Sequence, residues 1–523
     1  MKKAGVAIAS AAFLNLPGSG QAKTAKTAAK SAVYDVVAFG AKGDGQTLDT
    51  PAINRAIEAA AGAGGGTVLF PAGKYLCYSI RLKSHVALQL STGATILAAD
   101  TPADGKGAYD PAESNRPWED YQDYGHNHWH NSLIWGEDLE NVAILGPGLI
   151  WGKGLSRGGE EKPKAEDPGV GNKSIALKNC HNVLLRDFSI LHGGHFGILA
   201  TGVDNLTIDN LTIDTNRDGM DIDCCHNVRV SNCSVNSPWD DGICLKSSYA
   251  LGYAQATEMV TITNCMVSGD FEEGALLDGT FKHFGPGADT WRAGRIKFGT
   301  ESNGGFKNIT ISNCVFDGCH GLALETVDGA LLEDVTITNI TMRDIVDGPI
   351  FMRLGARMRG PAGISVGKLR RITISNIVCS NASGSVSSIV SGIPGHEIED
   401  VKLSNIYIQH RGGGTAEDAE RKLGEKENGY PEPDMFGVTP SEGFFIRHVR
   451  GLEMNDIKIV CEKEDARPAF VVDDVQNSDF FHINVPRSEN QPMFALHEVE
   501  DFSVSQSKGV SDTSLKQVDS KHL

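Results

Sequence analysis

Short runs in which Val, Ile or Leu alternates with Thr, Ser or Asp recur down the chain, and most of them end on asparagine. LTIDN ends at Asn210, VRVSN at Asn232, VTITN at Asn264 and again at Asn339, ITISN at Asn313 and Asn376, and VKLSN at Asn405. The intervals are 22, 32, 49, 26, 37 and 29 residues. A period of two over about five residues marks a strand that buries one face. Steps in the twenties, lengthened by insertions, suit one winding of a parallel β-helix, in which each coil buries its apolar face against its neighbours. The LxxLxLxxN pattern of leucine-rich repeats is missing, and propeller blades would need a regular period of about 40 residues. Stacked asparagines at a corner hydrogen-bond along the ladder, so the recurrent N-x-S/T triplets need no glycosylation to explain them. Ahead of the repeats, Thr50 is placed as an N-cap, Pro51 at the first helical position and Gly62 at the end, with Ile53, Ile57 and Ala60 on one face. Such a helix would cover the open end of the stack.

The chain of 523 residues then divides as follows: a signal peptide over 1–22, a flexible leader over 23–33, the β-helix over 34–487, and a terminal strand and tail over 488–523. The signal rests on Lys2-Lys3, an apolar run from Ala4 to Leu16 and the small-residue site Gly20-Gln21-Ala22. It implies a secreted or periplasmic protein. No later apolar run reaches membrane-span length. The net charge of −18 argues against nucleic acid and anionic membranes as partners, and an acidic polysaccharide would need a locally basic groove. Of 11 cysteines, Cys180, Cys233, Cys265 and Cys314 each follow an Asn in like repeats, which predicts equivalent buried positions in a stack rather than a disulfide framework or metal site.

One segment carries chemistry. NRDGMDIDCCHNVRVSNCSVNSPWDDGICLKS, from Asn216 to Ser247, holds Asp218 and, one unadorned 22-residue step later, Asp240 and Asp241. If that step is one coil, the three carboxylates stack about 4.7–4.9 Å apart. They then cannot all ionise comfortably, and one pKa rises. A raised acid beside an ionised carboxylate is what glycosidic cleavage requires. A lone Asp pair at a β-helix turn would mean little; the one-coil spacing and the DG-x-D context change that.

At these residues the chain resembles the family 28 glycoside hydrolases, the polygalacturonase family. Asn216-Arg217-Asp218-Gly219-Met220-Asp221 is similar to their Asn-Thr-Asp-Gly-x-Asp, and Trp239-Asp240-Asp241 to their Gly-Asp-Asp. The likeness runs from Tyr34 to Pro486 and includes the FGAKGDG opening. It implies a right-handed parallel β-helix and a cofactor-free, monomeric hydrolase that cleaves galacturonate-containing polysaccharide with inversion. Asp240 would be the general acid, with Asp218 and Asp241 activating water. The family's Gly-His-Gly and Arg-Ile-Lys motifs are not in their usual order: Ala323 and Glu325 stand where Arg and Lys are expected, and Gly294 at the histidine position. Arg295 and Lys297, two apart on one strand face, lie one coil before Glu325. Lys297 and Glu325 are expected to stack as a pair near the aspartates, with Arg295 reaching substrate. Arg353, 28 residues after Glu325, and Lys246 are further candidate contacts. Gly194-His195-Phe196-Gly197 precedes the aspartates and is read as accidental.

His126, His128 and His130 alternate as on one strand face, but no Cys or acid at metal spacing accompanies them, so no metal is assigned. Insertions at 266–293 and 409–445 are long enough to wall off a groove, which favours attack from chain ends. Three alternatives stay open: a rhamnogalacturonan-type hydrolase, pectate-lyase-like β-elimination, and a non-catalytic polysaccharide-binding β-helix.

Overall fold

A computed structural model describes residues 32–523 except 124, 159–163, 166, 286, 289 and 488–490. The proposed signal peptide and all but the end of the leader lie outside the described residues. The strands join into one sheet that winds round as a parallel β-helix. A representative coil has strands Asp218–Asp223, His226–Ser231 and Ser234–Asn236, paired in register with Phe196–Thr201, Asp204–Asp209 and Thr212–Asp214 one coil below.

Alternation decides which side chains fill the core. Ile198, Met220, Ile243 and Ile296 lie in one register column, all fully buried. On the next face Val228, Val260, Ile309, Val335 and Ile372 form a second column. Each such side chain contributes about 1.5–3 kcal/mol through removal from water. The intervening residues point outward, and on the first face these include Asp221, Cys244, Lys297 and Ala323 in a single column.

The asparagine corners form as expected and do a second thing that the repeat alone does not state. Asn210, Asn232, Asn264, Asn313, Asn339, Asn376 and Asn405 all take φ of 52–58°, the left-handed turn that asparagine tolerates better than most residues. Their amides then bond coil to coil: Asn339 to Asn313 at 3.1 Å, Asn376 to Asn339 at 3.1 Å and Asn405 to Asn376 at 2.8 Å.

The N-terminal helix spans Thr50–Gly62, and Ile53, Ala56, Ile57 and Ala60 are buried against the first coil. Asp49, not Thr50, is the N-cap residue; its carboxylate accepts from the Lys42 and Gly43 amides, while the Thr50 hydroxyl accepts from the Tyr78 amide. At the other end the parallel register continues past residue 487 through Phe494–Ser505, and Thr513–His522 then folds back antiparallel on it. All 11 cysteines are free, and Cys180, Cys233, Cys265 and Cys314 are buried. Among the described residues no helix is long and apolar enough to cross a membrane.

Candidate active site

The 22-residue step brings Asp218, Asp240 and Asp241 together. Backbone bonds from Trp239 N to Asn216 O (3.2 Å) and from Gly219 N to Asp241 O (3.0 Å) tie the two coils rung to rung. A Cβ on Gly219 would stand 2.4 Å from the Gly242 carbonyl oxygen, so the residue after Asp218 has no room for a side chain. With the coils that close, one oxygen from each of the three carboxylates lies within 4.8 Å of the others. They form one wall of a cavity of about 330 Å³, completed by Asp123, His126, Gly158, Ala165, His195, Arg217, Lys246 and Tyr430.

The three carboxyls sit in different fields. Burial pushes Asp218 well above the usual carboxylate range, and the neighbouring Asp221 and Asp240 push it further. Burial also raises Asp240, against the opposing pull of Arg217, whose Nη2 is 2.7 Å from Asp240 Oδ2. For Asp241 burial is outweighed by Lys297 and Arg295, at 3.4 and 2.9 Å, which hold it below the ordinary value. The cluster thus keeps one ionised carboxylate beside two that retain protons more readily, and the three titrate as a coupled group.

The basic residues divide. Lys246 faces the cavity, 3.0 Å from Glu301 and 3.7 Å from Asp221. Lys297 and Glu325 do come together, at 3.7 Å, and burial raises the Glu325 carboxyl to about 8. Arg295, expected to reach substrate, is instead covered by the 409–445 insertion: it is 1% exposed, does not line the cavity, and bonds Asp241 and Glu432. Arg353 does not join the site. It is buried further along the stack, donating to Ser391 Oγ and to the Gly392 and Glu425 carbonyls.

The cavity and its surroundings also hold residues outside the sequence expectation. His195, read as accidental, borders the cavity 3.9 Å from Asp218 and accepts from Arg217 at 3.2 Å; burial and Arg217 press its pKa far down, so it is neutral. The legible signal was its distance of one 22-residue coil before Arg217. Arg217 itself stood inside the aspartate motif. Tyr430 and Glu432, from the insertion before strand Phe444–Lys463, had no such signal. The other insertion, 266–293, contributes no described residue to the cavity wall; its Glu273 pairs with Arg157 and His192.

The three alternating histidines are not on a strand, and each meets a different carboxylate. His126 meets Asp221 at 3.2 Å, His128 Glu119 at 2.8 Å and His130 Glu137 at 2.9 Å. Among the described residues two groups have spacing that a cation could use, the three aspartates and Glu113–His130–Glu137. In the second, Lys178 Nζ already stands 2.7 Å from Glu137.

The family model "Rhamnogalacturonase A/epimerase, pectate lyase-like" matches residues 33–265. A probable polygalacturonase of Vitis vinifera is 25% identical over 410 residues, covering 71% of this chain and 73% of its own length. An exo-poly-alpha-D-galacturonosidase of Dickeya chrysanthemi is 27% identical over 277 residues, and the match spans 44% of each protein. The family 28 exopolygalacturonase of Yersinia enterocolitica superposes with a TM-score of 0.63 at 21% identity, over 87% of this chain and 78% of that one. The chain is similar in sequence to polygalacturonases and has the fold of a family 28 enzyme.

Proposed function

We propose that this protein is a glycoside hydrolase of the polygalacturonase type, acting on galacturonate-containing pectic polysaccharide or oligosaccharide. One observation carries the proposal: three carboxyls with unequal proton affinities converge on one small cavity. Asp240 protonates the leaving oxygen and Asp241, held ionised, deprotonates water, while Asp218, which keeps its proton more readily, positions that water; the resemblance assigns both to activating it. Arg217 opposes the acid role of Asp240 by favouring its ionised form. A substrate hydroxyl or ring oxygen that takes over part of the guanidinium would free Asp240 to hold its proton. The cavity lies at the small end of ligand-pocket sizes, which suits a chain end better than a long internal stretch.

Inversion of the anomeric centre is part of this reading through the resemblance. Retention is the second reading, because the nearest oxygens of the three carboxyls lie within 4.8 Å of one another while the carboxyl groups of most inverting pairs stand roughly 6.5–9.5 Å apart. Product anomer decides. Purified protein is incubated with a panel of pectic fractions and the new reducing end is followed by NMR; a product of inverted configuration is expected, and a retained one moves Asp218 or Asp241 to the role of nucleophile. An unsaturated product absorbing in the near ultraviolet would replace hydrolysis by elimination. Binding with no product from any fraction would leave a carbohydrate-binding β-helix. The basic and apolar N-terminal run supports export, and a mature chain that still begins at Met1 would refute it.

A further inference from the structure

We infer that the sugar seated against Asp218, Asp240 and Asp241 carries no free carboxylate, because Glu432 already occupies the place a substrate carboxylate would take on the basic pair. The inference rests on the hydrolase reading and narrows it: the polymer bears uronates, but the unit held at the reacting centre is a neutral sugar or an esterified uronate.

The first observation is that Glu432 and Asp241 already engage Arg295 and Lys297, leaving Arg295 Nη1, 4.0 Å from Asp347, as the one buried donor of the pair without a hydrogen-bond partner among the described residues. Lys297 Nζ lies 2.7 Å from Glu432, 3.4 Å from Asp241 and 3.7 Å from Glu325. Arg295 donates from Nε to Asp241 and from Nη2 to the same Glu432 oxygen. Both cations are at most 2% exposed, and neither lines the cavity. An incoming carboxylate would have to displace Glu432 and leave it buried without its cations, at a cost of several kcal/mol.

The second observation is that Glu432 is held rigidly. It lies between Pro431 and Pro433 in the run Tyr430-Pro431-Glu432-Pro433. Each proline fixes its own φ and biases the residue before it towards extended backbone. Glu432 is extended, with φ −132° and ψ 149°, and its carbonyl accepts from the Met435 amide. The Tyr430 ring is covered by Lys297 at 5.6 Å and by Arg357 at 5.8 Å. A segment stiffened in this way holds Glu432 on the cations behind the cavity, whose wall it reaches through Tyr430.

The third observation is the charge of the cavity wall. Asp123, Asp218, Asp240 and Asp241 face Arg217, Lys246 and His126, and each of the three bases has a carboxylate partner, Asp240 at 2.7 Å, Glu301 at 3.0 Å and Asp221 at 3.2 Å. A sugar carboxylate there would meet more acids than cations, whereas hydroxyls can donate to the acids and accept from the cations.

The experiment compares galacturonate oligomers as free acids, the same oligomers fully methyl-esterified, and oligomers alternating galacturonate with a neutral sugar. For the wild type, kcat/KM on the free acid is expected to be at least 100-fold below the better of the other two. Equal or faster turnover of the free acid overturns this inference and leaves the hydrolase reading standing. Turnover of none of the three removes both. Glu432→Ala opens a carboxylate-sized gap beside the cations, so free galacturonate should raise its thermal unfolding temperature more than that of the wild type, while methyl galacturonate should not. Glu432→Gln keeps the shape and removes the charge, and should narrow the ester-to-acid ratio by at least tenfold. A folded variant with an unchanged ratio overturns the inference; if neither variant folds, the wild-type ratio decides.

Discussion

The asparagine corner and the carboxylate face are edges of the same coils, built on the same backbone register, yet stacking like on like has opposite consequences at the two. An amide both donates and accepts, so asparagines one coil apart can satisfy each other, as the 2.8–3.1 Å bonds from Asn313 through Asn339 and Asn376 to Asn405 show, while Asn210 and Asn232 donate to Asp187 and Asp209 one coil below. A carboxylate only accepts. Asp218, Asp240 and Asp241 stack at similar spacing and therefore repel, and the coil must recruit Arg217, Arg295 and Lys297 to hold them. One geometry thus makes a passive ladder at the corner and a store of unequal proton affinities at the face. Repetition supplies the scaffold, and a change of side-chain chemistry at one step of it supplies the site.

That contrast can be broken from either side. The largest effect is expected for Asp240→Asn, which should lower kcat by about 10²–10⁴-fold through loss of proton transfer while leaving the fold intact; steady-state turnover alongside circular dichroism checks both halves. Next comes Lys297→Met. It leaves Asp241 and Glu432 facing each other with Arg295 alone between them, and should cost about 3–5 kcal/mol in urea unfolding. Unchanged turnover in that variant would reject any part for Lys297 in the reaction.

Glu325→Gln should act through pH. The Glu325 carboxyl is raised from 4.5 to about 8, so the folded protein holds a proton there that the unfolded chain has released. This group's favourable contribution is full below pH 4.5 and is lost as pH rises through about 8. Glutamine imitates the protonated form, so variant and wild type should unfold together near pH 4 and separate progressively up to pH 8, with the variant the more stable. Separation in the opposite direction would mean that Lys297 keeps Glu325 ionised. The smallest effect is expected at the corner: Asn339→Ala breaks the ladder in both directions and should cost about 1 kcal/mol with no change in turnover.

Much of the molecule could be read without coordinates because its contacts repeat at short range. Period-two alternation selects the core columns, the asparagines mark the left-handed corners, and a 22-residue step places Asp218 beside Asp240 since nothing is inserted between them. The same 22-residue step also places His195 one coil below Arg217. It could not orient Arg295, whose side chain has the whole outward face available and turns to Glu432. Only the tertiary structure decided that partner, 137 residues away on an insertion whose path no repeat governs. Coil stacking is set by hydrogen bonds that recur with every turn, and so is written in the spacing. The loop that closes the site is placed by prolines, a tyrosine under two cations and the charges it meets, and those act only once the chain has folded.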